Sequence, residues 1–174
     1  MRKTLMMTVV LAAASCAGIA DNSSTTGEDS AGETAAASYA DVEEWANEQG
    51  DDAWQTWMGI IGTLKQDFDD VCGDTFCGGD YSNLEPLRFR CSINTTTQVL
   101  KNCTYVFAGS YETVNPTLGT IKVNAKTFSC HISVTGIKLS DFESTLTAAG
   151  GTAPLQRTLP GKSESIYSSL IGCI

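Results

Sequence analysis

The chain has 174 residues, 42% of them hydrophobic and 18% charged, with 20 acidic side chains against 11 basic ones and a net charge of -9. That length fits one domain plus a stretch of unstructured chain. An acidic chain without clustered Lys and Arg argues against a nucleic-acid partner, and outside residues 4–14, themselves too short to span, there is no long apolar run, so no segment is expected to cross a membrane as a helix.

Met1-Arg2-Lys3 is followed by eleven apolar or small residues, Thr4 to Ala14, and then by Ser15-Cys16-Ala17-Gly18. A short cationic start, an apolar stretch and small residues predict a secretory signal peptide. Ala13-Ala14-Ser15-Cys16 resembles a bacterial lipobox, which is cleaved before a cysteine that carries the lipid. Ala13 departs from that pattern, which favours Leu, Val or Ile there, so plain cleavage after Ala14 or Ala20 is the rival reading. Residues 1–16 are thus expected to be a signal segment with Cys16 as lipidation site. Residues 17–37 are mostly Ser, Thr, Gly, Ala and acids, with one Ile and no aromatic side chain, a composition with little to bury, and are expected to be a tether. Residues 38–174 are expected to form one globular domain.

Within that domain, Ser38 and Asp41 read as a capping box for a helix bearing Tyr39, Val42, Trp45 and Ala46, with Gly50 as its stop. Asp51 or Asp52 opens a longer helix. There Trp54, Trp57, Met58, Ile61, Leu64, Phe68 and Val71 recur at three- and four-residue steps, an apolar stripe about 160° wide that predicts packing on a sheet. Gly59 and Gly62 fall off the stripe.

From Leu87 the period changes to two. Leu87, Phe89, Cys91 and Ile93 alternate with Arg88, Arg90 and Ser92. Cys103, Tyr105 and Phe107 form a second such run, and Ile121, Val123 and Ala125 alternate with Lys122, Asn124 and Lys126. Phe128, Cys130, Ile132 and Val134 continue after a parity slip near Thr127, which predicts a bulge. Asn94-Thr95-Thr96-Thr97 and Asn115 to Gly119 supply the turns. Short connections make neighbours antiparallel, predicting a meander of three to four strands. Ser140 and Glu143 then read as a capping box for a helix ended by Gly150-Gly151. Beyond Pro154 and Pro160-Gly161, Ser163 opens a last short helix with Ile166, Tyr167, Leu170 and Cys173. The order gives an α+β fold: N-terminal helices, an antiparallel meander and C-terminal short helices packed on one sheet face.

Apart from Cys16, six cysteines remain: Cys72, Cys77, Cys91, Cys103, Cys130 and Cys173. An even number in an exported chain predicts three disulfides. Cys91–Cys103 follows from the neighbouring strands. Cys72–Cys77 follows from sequence proximity, leaving Cys130–Cys173 to fasten the last helix to the sheet and hold a chain end that would otherwise fray. Zinc would need a second close ligand pair, which the sequence lacks.

Chemistry is harder to find. His131 is the single histidine, and as the strand neighbour of Cys130 it points to the opposite face, so the two make no catalytic dyad. No Gly-x-Ser-x-Gly elbow supports a triad. Asp67, Asp69, Asp70, Asp74 and Asp80 fail as a calcium loop, because Val71 and Cys72 fall where a ligand and a glycine are needed. Those acids, or Glu85, could supply paired carboxylates to a hydrolase. Gly78-Gly79-Asp80 reads as a turn. The motifs call for no metal and no cofactor.

Charge is unevenly spread: residues 17–85 carry sixteen acids and one base, Lys65, whereas residues 86–174 carry eight bases and four acids. Strand parity places Arg88, Arg90, Lys122 and Lys126 on one outer sheet surface, a candidate patch for an anionic ligand or partner. Asn22, Asn94 and Asn102 head Asn-x-Ser/Thr sequons. Together these readings predict a non-catalytic, disulfide-braced, extracytoplasmic module of a cell envelope. As a lipoprotein it would sit at the outer membrane, periplasm or cell surface, and otherwise be secreted, with an envelope or secreted protein as partner. A secreted inhibitor or effector and a carboxylate-dependent hydrolase are the alternatives.

Overall fold

The chain runs through an edge strand, two helices, a three-stranded meander and two short helices. The computed structural model describes residues 38–72, 81 and 83–174, all within one compact unit. The expected signal segment, Cys16, the tether, the Gly78-Gly79-Asp80 turn and Cys77 lie outside these residues. The elements are β1 (Tyr39–Asp41), α1 (Val42–Gln49), α2 (Asp51–Cys72), β2 (Asn83–Asn94), β3 (Leu100–Val114), β4 (Ile121–Ile132), α3 (Leu139–Thr147), a 3-10 turn (Pro154–Gln156) and α4 (Ile166–Ile171). The strands form one antiparallel sheet in the order β1-β2-β3-β4, so the protein has an α+β fold.

The first departure from expectation is at Ser38. Tyr39–Asp41 is extended and pairs with Ser92–Asn94 of β2, so the fourth strand precedes the meander. Asp41, not Ser38, caps α1: its carboxylate accepts the Glu43 N–H at 2.9 Å. Gly50 separates the two helices at φ +116°, a backbone conformation closed to residues with a Cβ, and its carbonyl accepts the Trp54 N–H. Asp51 and Asp52 place negative charge in the first turn of α2, where the helix dipole favours it.

The buried line of α2 is Trp57, Ile60, Leu64 and Phe68. This stripe is narrower than the expected one and rotated from it: Trp54 is 40% exposed, whereas Ile60, absent from the periodic set, is buried. Trp57 meets Phe89 of β2 and Phe142 of α3 at ring-centroid distances of 6.0 and 6.4 Å, and Phe68 meets Phe107 of β3 at 4.7 Å. One helix thus joins sheet and C-terminal segment through aromatic contacts. Gly59 and Gly62 face open space.

β2 begins at Asn83, four residues before the expected start. Its register against β3 shifts between Pro86 and Arg88, which expels Leu87 to 53% exposure. Leu84 and Pro86 are buried before this bulge, and Phe89, Cys91 and Ile93 after it. A bulge changes parity by inserting one residue, so a strict alternation starting at Leu87 misassigns that residue.

The slip expected near Thr127 does not occur. β3 and β4 pair without interruption from Val114↔Ile121 to Cys103↔Ile132. Phe128, Cys130 and Ile132 are buried, so Lys122, Asn124 and Lys126 share their face, and Ile121, Val123 and Ala125 lie on the other. Alternation with a slip places Ile121 and Val123 inside. The structure leaves them 66% and 61% exposed, because without a slip they lie on the face opposite the core.

Two cystines brace this layer: Cys91–Cys103 across β2 and β3, and Cys130–Cys173 between β4 and the residues after α4. Such bonds persist in oxidising compartments. Cys77 lies outside the described residues, and with it the Cys72–Cys77 pairing. Two further caps differ from expectation. α3 starts after Lys138 with no side-chain cap, so Ser140 and Glu143 do not form a box, and the helix ends at Thr147, before Gly150-Gly151. Ser165, not Ser163, caps α4, in a reciprocal arrangement with Ser168.

Candidate functional site

The four cations expected on one surface are divided between two environments. Arg88 Nη2 lies 2.9 Å from a Glu43 carboxylate oxygen, and Arg90 Nη1 lies 2.8 Å from one of Asp41. Both arginines therefore tie β2 to the β1–α1 corner. Lys122 and Lys126 occupy the opposite face of β4, where the Lys126 ammonium sits 4.3 Å from the centre of the Phe128 ring. Only a parity slip at Thr127 would set them beside the arginines. A single four-residue anion patch is therefore not formed.

Two of the candidate acids are similarly engaged. An Asp67 carboxylate oxygen accepts the Leu155 N–H at 3.1 Å, fastening the 3-10 turn to α2, and Glu85 pairs with Lys65. Asp69 and Asp70 are exposed on the last turns of α2. Asp74 and Asp80 lie outside the described residues. Among the described residues no group of three His, Cys, Asp or Glu side chains is arranged to hold a metal ion.

Cys130 is buried and its sulfur is bonded to Cys173, while His131 is exposed on the other face of β4. The separation expected from strand alternation is what the structure has. Burial, with lesser contributions from Asp69, Asp67 and Glu85, pushes the Tyr105 phenol well above its ordinary range, so that hydroxyl stays protonated. Asn94 uses its side-chain oxygen to accept the N–H groups of Thr96 and Thr97 at 3.1 and 2.8 Å, closing the β2–β3 turn. Asn102 is exposed on β3. Asn22 lies outside the described residues.

The surfaces left open are on the sheet. Register rows Asn83–Ser110–Ala125 and Glu85–Ala108 with Thr127 cross three strands on the face opposite the core, and their small side chains leave a shallow depression of about 610 Å³. A second depression, about 420 Å³, lies at the other end beside Tyr39, Arg90 and Thr104. The β3–β4 hairpin adds exposed Val114, Leu118, Ile121 and Val123, and among the described residues no strand pairs with the outer edge of β4. Periodicity alone does not reveal this edge. Its signal, the alternation of Ile and Val with Lys, is present in the sequence, but the expected slip assigns it to the wrong face.

The fold and these surfaces define a class: a small α+β module with one sheet face built into a braced core and the other face and one edge left open. Comparison with protein-family models, with curated proteins and with solved structures gave no match. No helix of the described residues is long and apolar enough to cross a membrane.

Proposed function

We propose that this chain is an exported, lipid-anchored module of a cell envelope that acts by binding a partner protein rather than by catalysis. One observation carries the reading. The buried positions of β2, β3 and β4 and both described cystines lie on the same sheet face, while the opposite face and the β4 edge stay open. Cross-links of this kind stiffen a small sheet, and a stiff sheet presents its free edge and face with little ordering cost on binding. Three of the side chains considered for paired-carboxylate or thiol chemistry have structural partners: Glu85 with Lys65, Asp67 with Leu155, and Cys130 with Cys173. The signal segment and Cys16 supply the address and anchor.

Two measurements test it. Growth with a labelled fatty acid should label the wild-type chain and leave Cys16→Ala unlabelled; an unlabelled wild type overturns the anchor. Cross-linked affinity capture from native envelope should return a reproducible partner protein. A purified chain with a measurable hydrolytic turnover, lost on replacing one acid at unchanged Tm, would overturn the binding role in favour of the hydrolase.

A further inference from the structure

We infer that the outer edge of β4, from Ile121 to Thr127, takes up an extended acidic strand of a partner protein, which extends the sheet as a fifth strand. This inference rests on the binding role proposed above and gives it a surface and a partner chemistry.

The backbone geometry starts at the β2–β3 cystine. Cys91 and Cys103 stand opposite each other with Cα atoms 4.0 Å apart, the close spacing of a non-hydrogen-bonded pair. Cys103 therefore turns its N–H and C=O away from β2 and toward β4. Alternation gives the same direction to Tyr105, Phe107, Gly109, Tyr111 and Thr113, and the unbroken register matches these to Cys130, Phe128, Lys126, Asn124 and Lys122. The N–H and C=O groups of Ile121, Val123, Ala125 and Thr127 then point the other way, along the free edge. Those unpaired groups are what an added strand needs.

Side chains set the partner's chemistry. Ile121, Val123 and Ala125 lie on one face of the edge and Lys122 and Lys126 on the other, with all five exposed. The ion pairs among the described residues use Lys65, Arg88 and Arg90, which leaves the charge of both β4 lysines without an acidic partner there. A strand alternating acidic and apolar residues would meet the lysines on one face and Ile121 and Val123 on the other, since cross-strand neighbours share a face. A second copy of this chain fits less well: antiparallel self-pairing centred on Lys122 or Asn124 sets lysines directly opposite one another, and since residues 115–132 contain no acid, no self-pairing register gives the lysines an acidic partner. Charge complementarity thus favours an acidic partner strand.

The test is fluorescence anisotropy of a labelled, acetylated heptapeptide of alternating Glu and Val against the full chain. Binding is expected to weaken about tenfold or more when salt rises from about 50 to about 500 mM. Lys122→Glu with Lys126→Glu should weaken it about tenfold. Val123→Pro removes one outward N–H at an edge position that tolerates proline and should abolish binding, with Tm and circular dichroism confirming the fold. A peptide N-methylated at alternate residues is the counterpart that leaves the protein untouched, and it should fail to bind in one of its two methylation registers. The inference is overturned if the Glu–Val peptide does not bind, if a Lys–Val peptide binds equally, or if the wild type instead dimerises through this edge. It is also overturned, with the binding role left standing, if Val123→Pro captures the same envelope partner as the wild type.

Discussion

Trp54 and Trp57 stand three residues apart on α2, and helical periodicity alone assigns them to one buried stripe. The structure separates them: Trp57 is 1% exposed and Trp54 40% exposed. A tryptophan side chain offers up to about 250 Å², so the difference in exposure corresponds to about 100 Å². At about 25 cal/mol per Å² that is about 2.5 kcal/mol, and differences of this kind are sounder than absolute sums. Trp57→Ala also leaves a hole between Phe89 and Phe142, whereas Trp54→Ala leaves none, so the cavity cost falls on one variant only. Trp57→Ala should therefore cost about 3–5 kcal/mol and at least about 2.5 kcal/mol more than Trp54→Ala. Urea unfolding followed by far-UV circular dichroism, with the disulfides intact, reads this as a midpoint gap of about 1 M or more at unchanged slope. A gap under about 1 kcal/mol, or a larger loss at Trp54, would refute this packing of α2.

Four other outcomes follow from the same contacts. Removing Cys130–Cys173, which closes a 43-residue separation, should cost about 4 kcal/mol, and removing Cys91–Cys103, which closes 12, about 3 kcal/mol by chain entropy; denaturant unfolding of the two paired Cys→Ala variants ranks them. Gly109→Ala puts a Cβ 2.9 Å from a Leu84 methyl and 3.1 Å from the Phe128 ring and should cost about 1–3 kcal/mol. Gly59→Ala, facing open space in mid-helix, should instead stabilise by up to about 1 kcal/mol, and thermal melts separate the two signs. Asp41→Ala removes the α1 cap and the Arg90 partner and should cost about 1 kcal/mol, with Ser38→Ala near neutral; equal losses in urea would restore Ser38 as the cap. Burial raises the Glu143 carboxyl above its ordinary 4.5, so its contribution to stability is full below that value and is lost as pH rises through the raised one. Glu143→Gln should therefore melt higher than wild type near neutral pH, with the gap closing by about pH 4; a gap independent of pH would contradict this.

Most of the fold is legible in the sequence because the signals are local. Period two in 89–93 and 103–107, the stop at Gly50, and the turns at Asn94 and Asn115 each act within a few residues, and both described disulfides follow from strand adjacency and elimination. Boundaries and faces are not legible where a neighbour decides them. Whether Tyr39–Asp41 is helix or strand depends on Ser92–Asn94 being there to pair with it, more than fifty residues away in sequence.

The candidate site shows the same division more sharply. From sequence alone come the apolar alternation and basic bias of β4, the separation of Cys130 from His131, and the failure of the acidic run as a calcium loop. The side of the sheet that Lys122 and Lys126 occupy turns on one inserted residue. β4 has no such insertion at Thr127, so the lysines share the face of Phe128 and Cys130, and the inserted residue of this sheet is Leu87 in β2. Side-chain alternation propagates along a strand but does not say which face is covered. Coverage is set by where α2 and the C-terminal segment lie, so the sequence by itself determined an α+β fold and the Cys91–Cys103 and Cys130–Cys173 bonds, and the tertiary structure decided that Ile121 and Val123 remain on a free edge.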